Sequence, residues 1–478
     1  MFNIIPTPKS IKCEESNGKP QSISVKRCIC AHSDKFLRDA DVFSKYAERL
    51  YGMSLESAPG GIELYDDASL AQGEHRIEIA ETAVNVYASE REGAAYAMST
   101  LLQLICVQDG KITVPRAVIS DKPDCAYRSV MLDLAFKFHE TEKLYAIIDL
   151  CYLYKIRFLH LHFADNKAYT LPSDIFPKLP TKGASYSREE IDALCEYAFE
   201  HNVEIIPEIE MPGHAAPLIE AYPELFSNVF EESEEAEKFK EGFHNNIICV
   251  GKDGAFDNIT KLICEVAEMF PRSRHMHVGG DEANIKAWEF CPDCKRYMKE
   301  NGIEGVYPLY SHFVKLVTDK VLSLGKTPIV WEGFPKEGAE QISRDVLVIA
   351  WESLYHLAPD LVQEGFNIVN ASWQPLYLVV NKYWGVDEIL AWNVYNWQNW
   401  WEKSYAYNNP IQLEPTEQVL GGQISSWWGG SYEKEIELIK QNLAALSERT
   451  WNIELLTTVE EFKSKLSTVL PIADKMTE

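Results

Sequence analysis

The chain has 478 residues, 46% of them hydrophobic and 25% charged, and carries a formal net charge of −26 at pH 7. That length is too great for one small core and leaves a large barrel or two to three domains, while the acidic balance argues against nucleic acid or an anionic membrane as partner, since either would be repelled. The opening Met1-Phe2-Asn3-Ile4-Ile5-Pro6 has no basic segment followed by an apolar run, and no apolar stretch reaches membrane-spanning length, so a soluble, cytoplasmic protein without a membrane span is expected.

Residues 1–118 read as a smaller α/β accessory domain. Residues 76–80 and 83–87 alternate like strands of a half-buried sheet, and a helix opens at Glu92-Gly93-Ala94 and runs through Ile105. No polar groups gather at one end of this segment, so it is assigned a supporting role. From residue 119 to 478 the pattern becomes short apolar strands separated by helical stretches, the signature of βα repetition. Strands are expected at 129–135, 156–163, 203–209, 275–279, 327–331, 346–350, 367–371 and 419–425. Helices are expected at 141–153, at 188–201 behind a Ser187/Glu190 capping box, at 307–324, and at 433–449 to close the ring. Eight strands with intervening helices predict an α/β fold, a (β/α)8 TIM barrel preceded by the accessory domain, with its chemistry at the C-terminal strand ends.

Eleven cysteines are scattered without framework spacing, which suits a reducing compartment. Cys291-Pro292-Asp293-Cys294 is the one close pair. A structural zinc would require a second pair or histidines at matching spacing downstream, and neither follows, so a local thiol pair is expected, with no metal and no organic cofactor.

The expected strand ends carry Asp133; His160, His162 and Asp165; Glu208 and Glu210; Asp281 and Glu282; Trp331 and Glu332; Trp351 and Glu352; Trp373; and Trp427 with Trp428. Acids, histidines and tryptophans therefore converge on one mouth, and indoles at matching strand ends suit stacking on the apolar faces of sugar rings. Trp392, Trp397, Trp400 and Trp401 hint at further sugar or lipid contact. The central stretch is His275 to Asn284: Gly279 and Gly280 let the strand turn sharply, and Asp281 and Glu282 crowd two carboxyls together, so one of them should hold a proton near neutral pH. The paired histidines at 160/162 and 275/277 raise the rival reading of a metal hydrolase. They lie on the second and fourth strands with none on the later ones, which favours histidines orienting carboxylates.

Four ordered motifs carry a resemblance: Tyr127-Arg128 leading to Leu132-Asp133, His160-Leu161-His162-Phe163-Ala164-Asp165, Ile206 through His214, and His277-Val278-Gly279-Gly280-Asp281-Glu282. Together they resemble glycoside hydrolase family 20, the β-N-acetylhexosaminidases, along nearly the whole chain. The resemblance implies an exo-acting retaining enzyme on glycans or glycoconjugates containing N-acetylhexosamine. Glu282 would be the general acid and then the base, and Asp281 would hold the N–H of the 2-acetamido group, whose oxygen attacks the anomeric carbon to give an oxazolinium intermediate. Trp331, Trp351 and Trp427 would wall the acetamido pocket, Tyr377 would bond the acetamido oxygen, Arg128 would hold ring hydroxyls, and Asp165 with His214 would orient Glu282. The chain departs from the family at Phe136-Lys137, where an Arg-His pair is usual, at Val379 in place of an Asp, and at Gly429 in place of a Glu. The last two acids hold the sugar's 4- and 6-hydroxyls, so the outer rim is expected to tolerate an axial 4-hydroxyl or a 6-substituent. A sugar-binding relative with little turnover is the alternative that these losses leave open.

Overall fold

A computed structural model describes residues 2–13, 15–16, 19–108, 111–240 and 246–478. The N-terminal unit is built on a seven-stranded sheet in which Ser10–Cys13, Ala117–Asp121, His75–Ile79 and Val84–Ala88 are successive antiparallel neighbours. His75–Ile79 and Val84–Ala88 bury every second residue, as their alternation predicts. The helix Arg91–Leu104 opens with Glu90, whose side chain accepts the N–H groups of Glu92 and Gly93. The strand Ala117–Asp121 belongs to this sheet, so the first unit runs past the expected boundary at 118.

Eight parallel strands then close on themselves. In chain order they are Tyr127–Asp133, Phe158–His162, Glu204–Met211, His275–Gly279, Thr327–Trp331, Leu347–Ala350, Asn367–Asn370 and Val419–Trp427, and the last pairs with the first from Tyr127↔Gly421 to Leu132↔Ser426. Their burial is nearly unbroken, as expected of strands covered by side chains inside the barrel and by helices outside it. The helix Thr141–Leu153 has the expected ends, and Arg188–Glu200 carries the complete Ser187/Glu190 capping box. A short strand, Tyr377–Val379, lies outside the ring and runs parallel to Val419–Trp427, which places Tyr377 beside the mouth. Among the helices that went unassigned from the sequence are Leu37–Tyr51, Ala255–Met269, Pro292–Asn301 and the terminal Val459–Thr477. Among the described residues no helix is long and apolar enough to cross a membrane.

The N-terminal unit meets the bottom of the barrel through a buried polar seam. Lys155 Nζ lies 3.0 Å from Asp121 Oδ2, and Trp451 Nε1 donates to Asp121 Oδ1 at 2.8 Å. Arg128, expected to hold sugar hydroxyls, belongs to this seam and corrects that expectation. It sits at the N-terminal end of its strand with no exposed surface, donates to the carbonyls of Lys155 (3.0 Å) and Cys125 (2.6 Å) and to the Tyr96 hydroxyl, and lies 3.7 Å from Glu92. The chain start is tied in as well: Thr7 N–H donates to Glu448 at 2.7 Å and Asn452 Nδ2 to the Thr7 carbonyl at 2.8 Å.

The expected local pair of cysteines is a trio. Cys249, 42 residues before Cys291, brings its sulfur 3.6 Å from that of Cys291 and 3.7 Å from that of Cys294, all three buried and none in a disulfide.

Candidate active site

The strand His275–Gly279 ends where Gly279 and Gly280 take φ of +73° and +93°, delivering Asp281 and Glu282 to the C-terminal mouth. Gly279 is required for space as well as for backbone angle: a Cβ there would lie 2.0 Å from Glu210 Oε2. Glu282 itself takes φ of +42° and His214 φ of +48°, left-handed backbone at two non-glycine residues that face each other across the site.

These two side chains meet. His214 Nε2 is 3.4 Å from Glu282 Oε2, and its Nδ1 is 2.9 Å from Asp165 Oδ1. Burial opposes charge on the imidazole, but its hydrogen bonds to Asp165 and Glu282 hold it well above its ordinary value, so it stays protonated. Burial likewise opposes charge on Asp165, and the hydrogen bonds from His162 and His214 overcome it and hold that carboxyl well below its usual range. A relay of carboxylate, imidazolium and half-exposed carboxyl results, with Glu282 as the member that solvent and ligand reach.

Of the adjacent pair, Asp281 is the one driven toward neutrality. Burial, followed by the negative charges of Glu282 and Glu208, pushes it up to about 7 against the pull of His214. Among the described residues its Oδ1 is buried with no hydrogen-bond partner, an acceptor open to a ligand. Glu210, behind it, is raised well above the carboxylate range by burial and by Asp281 and Glu208.

Three of the paired histidines surround a carboxylate. Glu208 Oε2 lies 2.5 Å from His162 Nδ1 and 3.0 Å from His160 Nε2, while Oε1 lies 2.9 Å from His277 Nδ1 and accepts from Trp331 Nε1. With that many donors Glu208 stays ionised although fully buried, and it fixes the Trp331 indole in its plane. His275 takes no part and pairs with Glu204 at 2.7 Å.

A cavity of about 640 Å³ opens at this mouth, with Asp281, Glu282, Trp331, Trp351, Trp427 and Tyr377 among its lining residues. The indoles pack as a box: Trp331 lies 6.4 Å from Trp351 and 6.3 Å from Trp427, and Trp351 stacks on Tyr377 at 5.9 Å and 13°. Asp165 and His214 also line it, so of the predicted site residues Arg128 alone lies elsewhere. Asn166, Lys167, Asn246 and Phe136 line it too; the first three went unnoticed because nothing in the sequence marks an Asn or Lys on a connecting loop as site-facing.

Other strand-end residues have structural duties. Asp133 Oδ1 accepts the N–H groups of Ala135 and Phe136, both at 2.9 Å, and so shapes the turn that presents Phe136. Glu332 accepts from Ser353 (3.0 Å) and Leu354 (2.8 Å) and holds the loop after the sixth strand. Trp392 and Trp397 are core residues whose indole N–H groups bond the carbonyls of Asn396 and Ala350, contrary to the hint of ligand contact, whereas Trp400 packs edge-on against Trp373 at the rim.

Phe136 is 47% exposed over the cavity, with Lys167 Nζ 4.7 Å above its ring; Val379 lines the wall; Gly429 has open space around it.

Comparison with known proteins agrees with the architecture. The catalytic domain of glycosyl hydrolase family 20 matches residues 125–454, and domain 2 of the same family matches residues 1–122. A β-hexosaminidase of Porphyromonas gingivalis is 27% identical over 94% of this chain and 60% of its own length, and one of Vibrio furnissii is 27% identical over 77% of this chain and 63% of its own. The chain thus spans less than two thirds of the length of these two relatives. Among solved structures, an exo-β-N-acetylglucosaminidase of Vibrio harveyi bound to N-acetylglucosamine superposes with a TM-score of 0.83 at 22% identity, covering 99% of this chain and 77% of that one. A β-N-acetylhexosaminidase of Bacteroides fragilis gives 0.79 at 21% identity, covering 98% and 94%. At such identities the likeness is one of fold; with the catalytic-domain match spanning most of the barrel, the chain belongs to glycosyl hydrolase family 20.

Proposed function

We propose that this chain is an exo-acting, retaining β-N-acetylhexosaminidase that releases terminal β-linked GlcNAc or GalNAc by substrate-assisted catalysis. One observation carries the reading: Asp281 offers a buried carboxylate oxygen, without a hydrogen-bond partner among the described residues, at the floor of an indole-walled cavity, immediately beside the half-exposed Glu282. A two-carboxylate retaining mechanism needs a nucleophile facing the acid across the anomeric carbon, roughly 5 Å away. Among the described residues lining the cavity, the remaining carboxyls are Asp165, held by two histidines, and Glu210, buried and neutral. Neither is free to attack. The acetamido group of the substrate fills that role: Asp281 accepts its N–H, Trp331, Trp351 and Trp427 press it toward the anomeric carbon, and Tyr377 supports its oxygen as charge develops. Glu282 protonates the leaving oxygen, and the resulting carboxylate then activates water against the oxazolinium.

The rim supports a second element of the reading. With Phe136, Val379 and Gly429 where hydroxyl-binding side chains are usual, the site discriminates weakly at the sugar's outer positions and accepts an axial 4-hydroxyl or a 6-substituent. The test is a panel of aryl β-glycosides of GlcNAc, GalNAc, 6-sulfo-GlcNAc and glucose. Hydrolysis of the acetamido sugars with no turnover of the glucoside is expected, lost in Glu282→Gln by about 10²–10⁴-fold for a phenyl aglycone but far less for a dinitrophenyl one, which needs no proton. Equal rates on the glucoside would remove the substrate-assisted mechanism, tight binding without turnover would make the chain a lectin-like relative, and a strong preference for plain GlcNAc would remove the rim reading.

A further inference from the structure

Away from the sugar cavity, Cys249, Cys291 and Cys294 converge in a buried cluster that the proposed reaction does not use. Their sulfurs come from two loops: Cys249 from the segment between the third strand and helix Ala255–Met269, and Cys291 and Cys294 from the turn entering helix Pro292–Asn301 after the fourth strand. The ligand atoms all lie within 4.8 Å of one another, with Cys249 at 3.6 Å from Cys291 and 3.7 Å from Cys294. Tetrahedral zinc with Zn–S bonds of about 2.3 Å separates its ligand sulfurs by about 3.8 Å. A fourth donor is in place: Asn228 Oδ1 is 3.7 Å from Cys294 Sγ, while its Nδ2 is occupied by the Ile247 carbonyl at 2.7 Å, which turns the amide oxygen toward the cluster. A carbonyl oxygen bound about 2.1 Å from the same ion would lie at about that distance from a sulfur.

Cys291 also occupies the N-cap position of a ten-residue helix whose first turn holds Cys294, a place that favours negative charge. The approach of the two loops is also built for closeness. A Cβ on Gly251 would lie 2.1 Å from the Asp293 carbonyl oxygen, so only glycine lets the Cys249 loop abut the Cys291–Cys294 turn.

We propose that Cys249, Cys291 and Cys294, with Asn228 completing the tetrahedron, bind a structural zinc ion that staples the loops after the third and fourth barrel strands. The expectation of a local thiol pair missed the third cysteine because Cys249 lies upstream of the pair, where a search for downstream partners does not look. The staple stands directly behind the relay. Ile248 N–H donates to the Pro212 carbonyl at 2.9 Å, Trp288 Nε1 donates to the Ile248 carbonyl at 2.9 Å, and Asn246 O receives the Ala215 N–H at 3.0 Å, so the Cys249 segment braces both the loop bearing His214 and the segment following Glu282. All three sulfurs are bound as thiolates, so loading releases the protons of any neutral thiol.

The test is metal analysis of the full chain purified without chelator. About one zinc per chain is expected, falling below about 0.1 in Cys249→Ser and unchanged in Cys195→Ser, whose thiol lies on another helix. Because Cys249→Ser can fail to fold, cobalt is also exchanged into the wild-type chain, where sulfur-to-cobalt charge-transfer bands and intense tetrahedral d–d absorption are expected. No zinc as purified and none retained after zinc alone is added to the reduced protein would overturn the site, as would full zinc content in folded Cys249→Ser, a cobalt spectrum without thiolate bands, or a disulfide joining any two of the three. None of these readouts depends on the glycosidase reading.

Discussion

His214 Nε2 lies 3.4 Å from Glu282 Oε2, and the imidazolium that makes this contact is held in place by Asp165 from the other side. Both His214 and Glu282 sit on left-handed backbone, so the contact depends on two loops that keep unfavourable angles only because their surroundings enforce them. If the relay positions the acid, His214→Ala should lower kcat on a phenyl-type aglycone by about 10–100-fold while KM changes little, and the loss should shrink on a dinitrophenyl aglycone. Equal losses on both aglycones would assign His214 to binding or folding instead.

Asp281 gives the pH dependence. Its carboxyl, at about 7, is neutral below that pH and accepts an amide N–H best when ionised. The profile of kcat/KM, which reports the free enzyme, should therefore carry an acid limb near pH 7. In the profile of kcat, that limb should move to lower pH because the bound amide stabilises the charge. Superimposable limbs in the two profiles would contradict the assignment. The same shift has a stability consequence. The native state keeps a proton that the unfolded chain, with an ordinary value near 3.8, has already lost, so stability should fall as pH rises from about 4 to 7, and fall less in Asp281→Asn.

Gly279→Ala tests the packing beneath the carboxyls. The added methyl would overlap the Glu210 carboxyl and sit on a positive φ, and a destabilisation of roughly 2–4 kcal/mol is expected in urea unfolding. Shortening Glu210 in the same chain should recover the steric part but not the backbone part, so the double variant should fall between.

Much of this site was legible because its chemistry is written in strand-end residues, and a strand's period of two fixes which side chains share a face. The Gly279-Gly280-Asp281-Glu282 stop, the indoles at 331, 351 and 427, and the histidines around Glu208 all follow from that rule. Arg128 was misplaced for a related reason: it shares a strand with Asp133 but lies at the opposite end, and a motif read along the chain does not say which end of the barrel it serves. Trp392 and Trp397 were over-read because an indole in a core and an indole at a mouth look alike in sequence. Cys249 was missed because its partners come from a different loop, a long-range contact that no local spacing encodes.

Arg128→Met should act on stability and leave catalysis alone. The change strips one of the two cations beside buried Glu92, leaving Arg157 at 3.5 Å, and leaves the Lys155 and Cys125 carbonyls without their donor, and a loss of roughly 3–5 kcal/mol is expected by denaturant titration. KM for an aryl GlcNAc should stay within about twofold at temperatures where the variant is folded; a large rise in KM would return Arg128 to the sugar site.

The seam joining Asp121, Lys155 and Trp451 reaches beyond local stability. Its charged and polar atoms pair across the two units, so peeling the units apart would separate Lys155 and Trp451 from Asp121 and break those pairs on both faces. The chain should melt as a single cooperative body, and the barrel expressed without its N-terminal partner should be found in inclusion bodies rather than in solution.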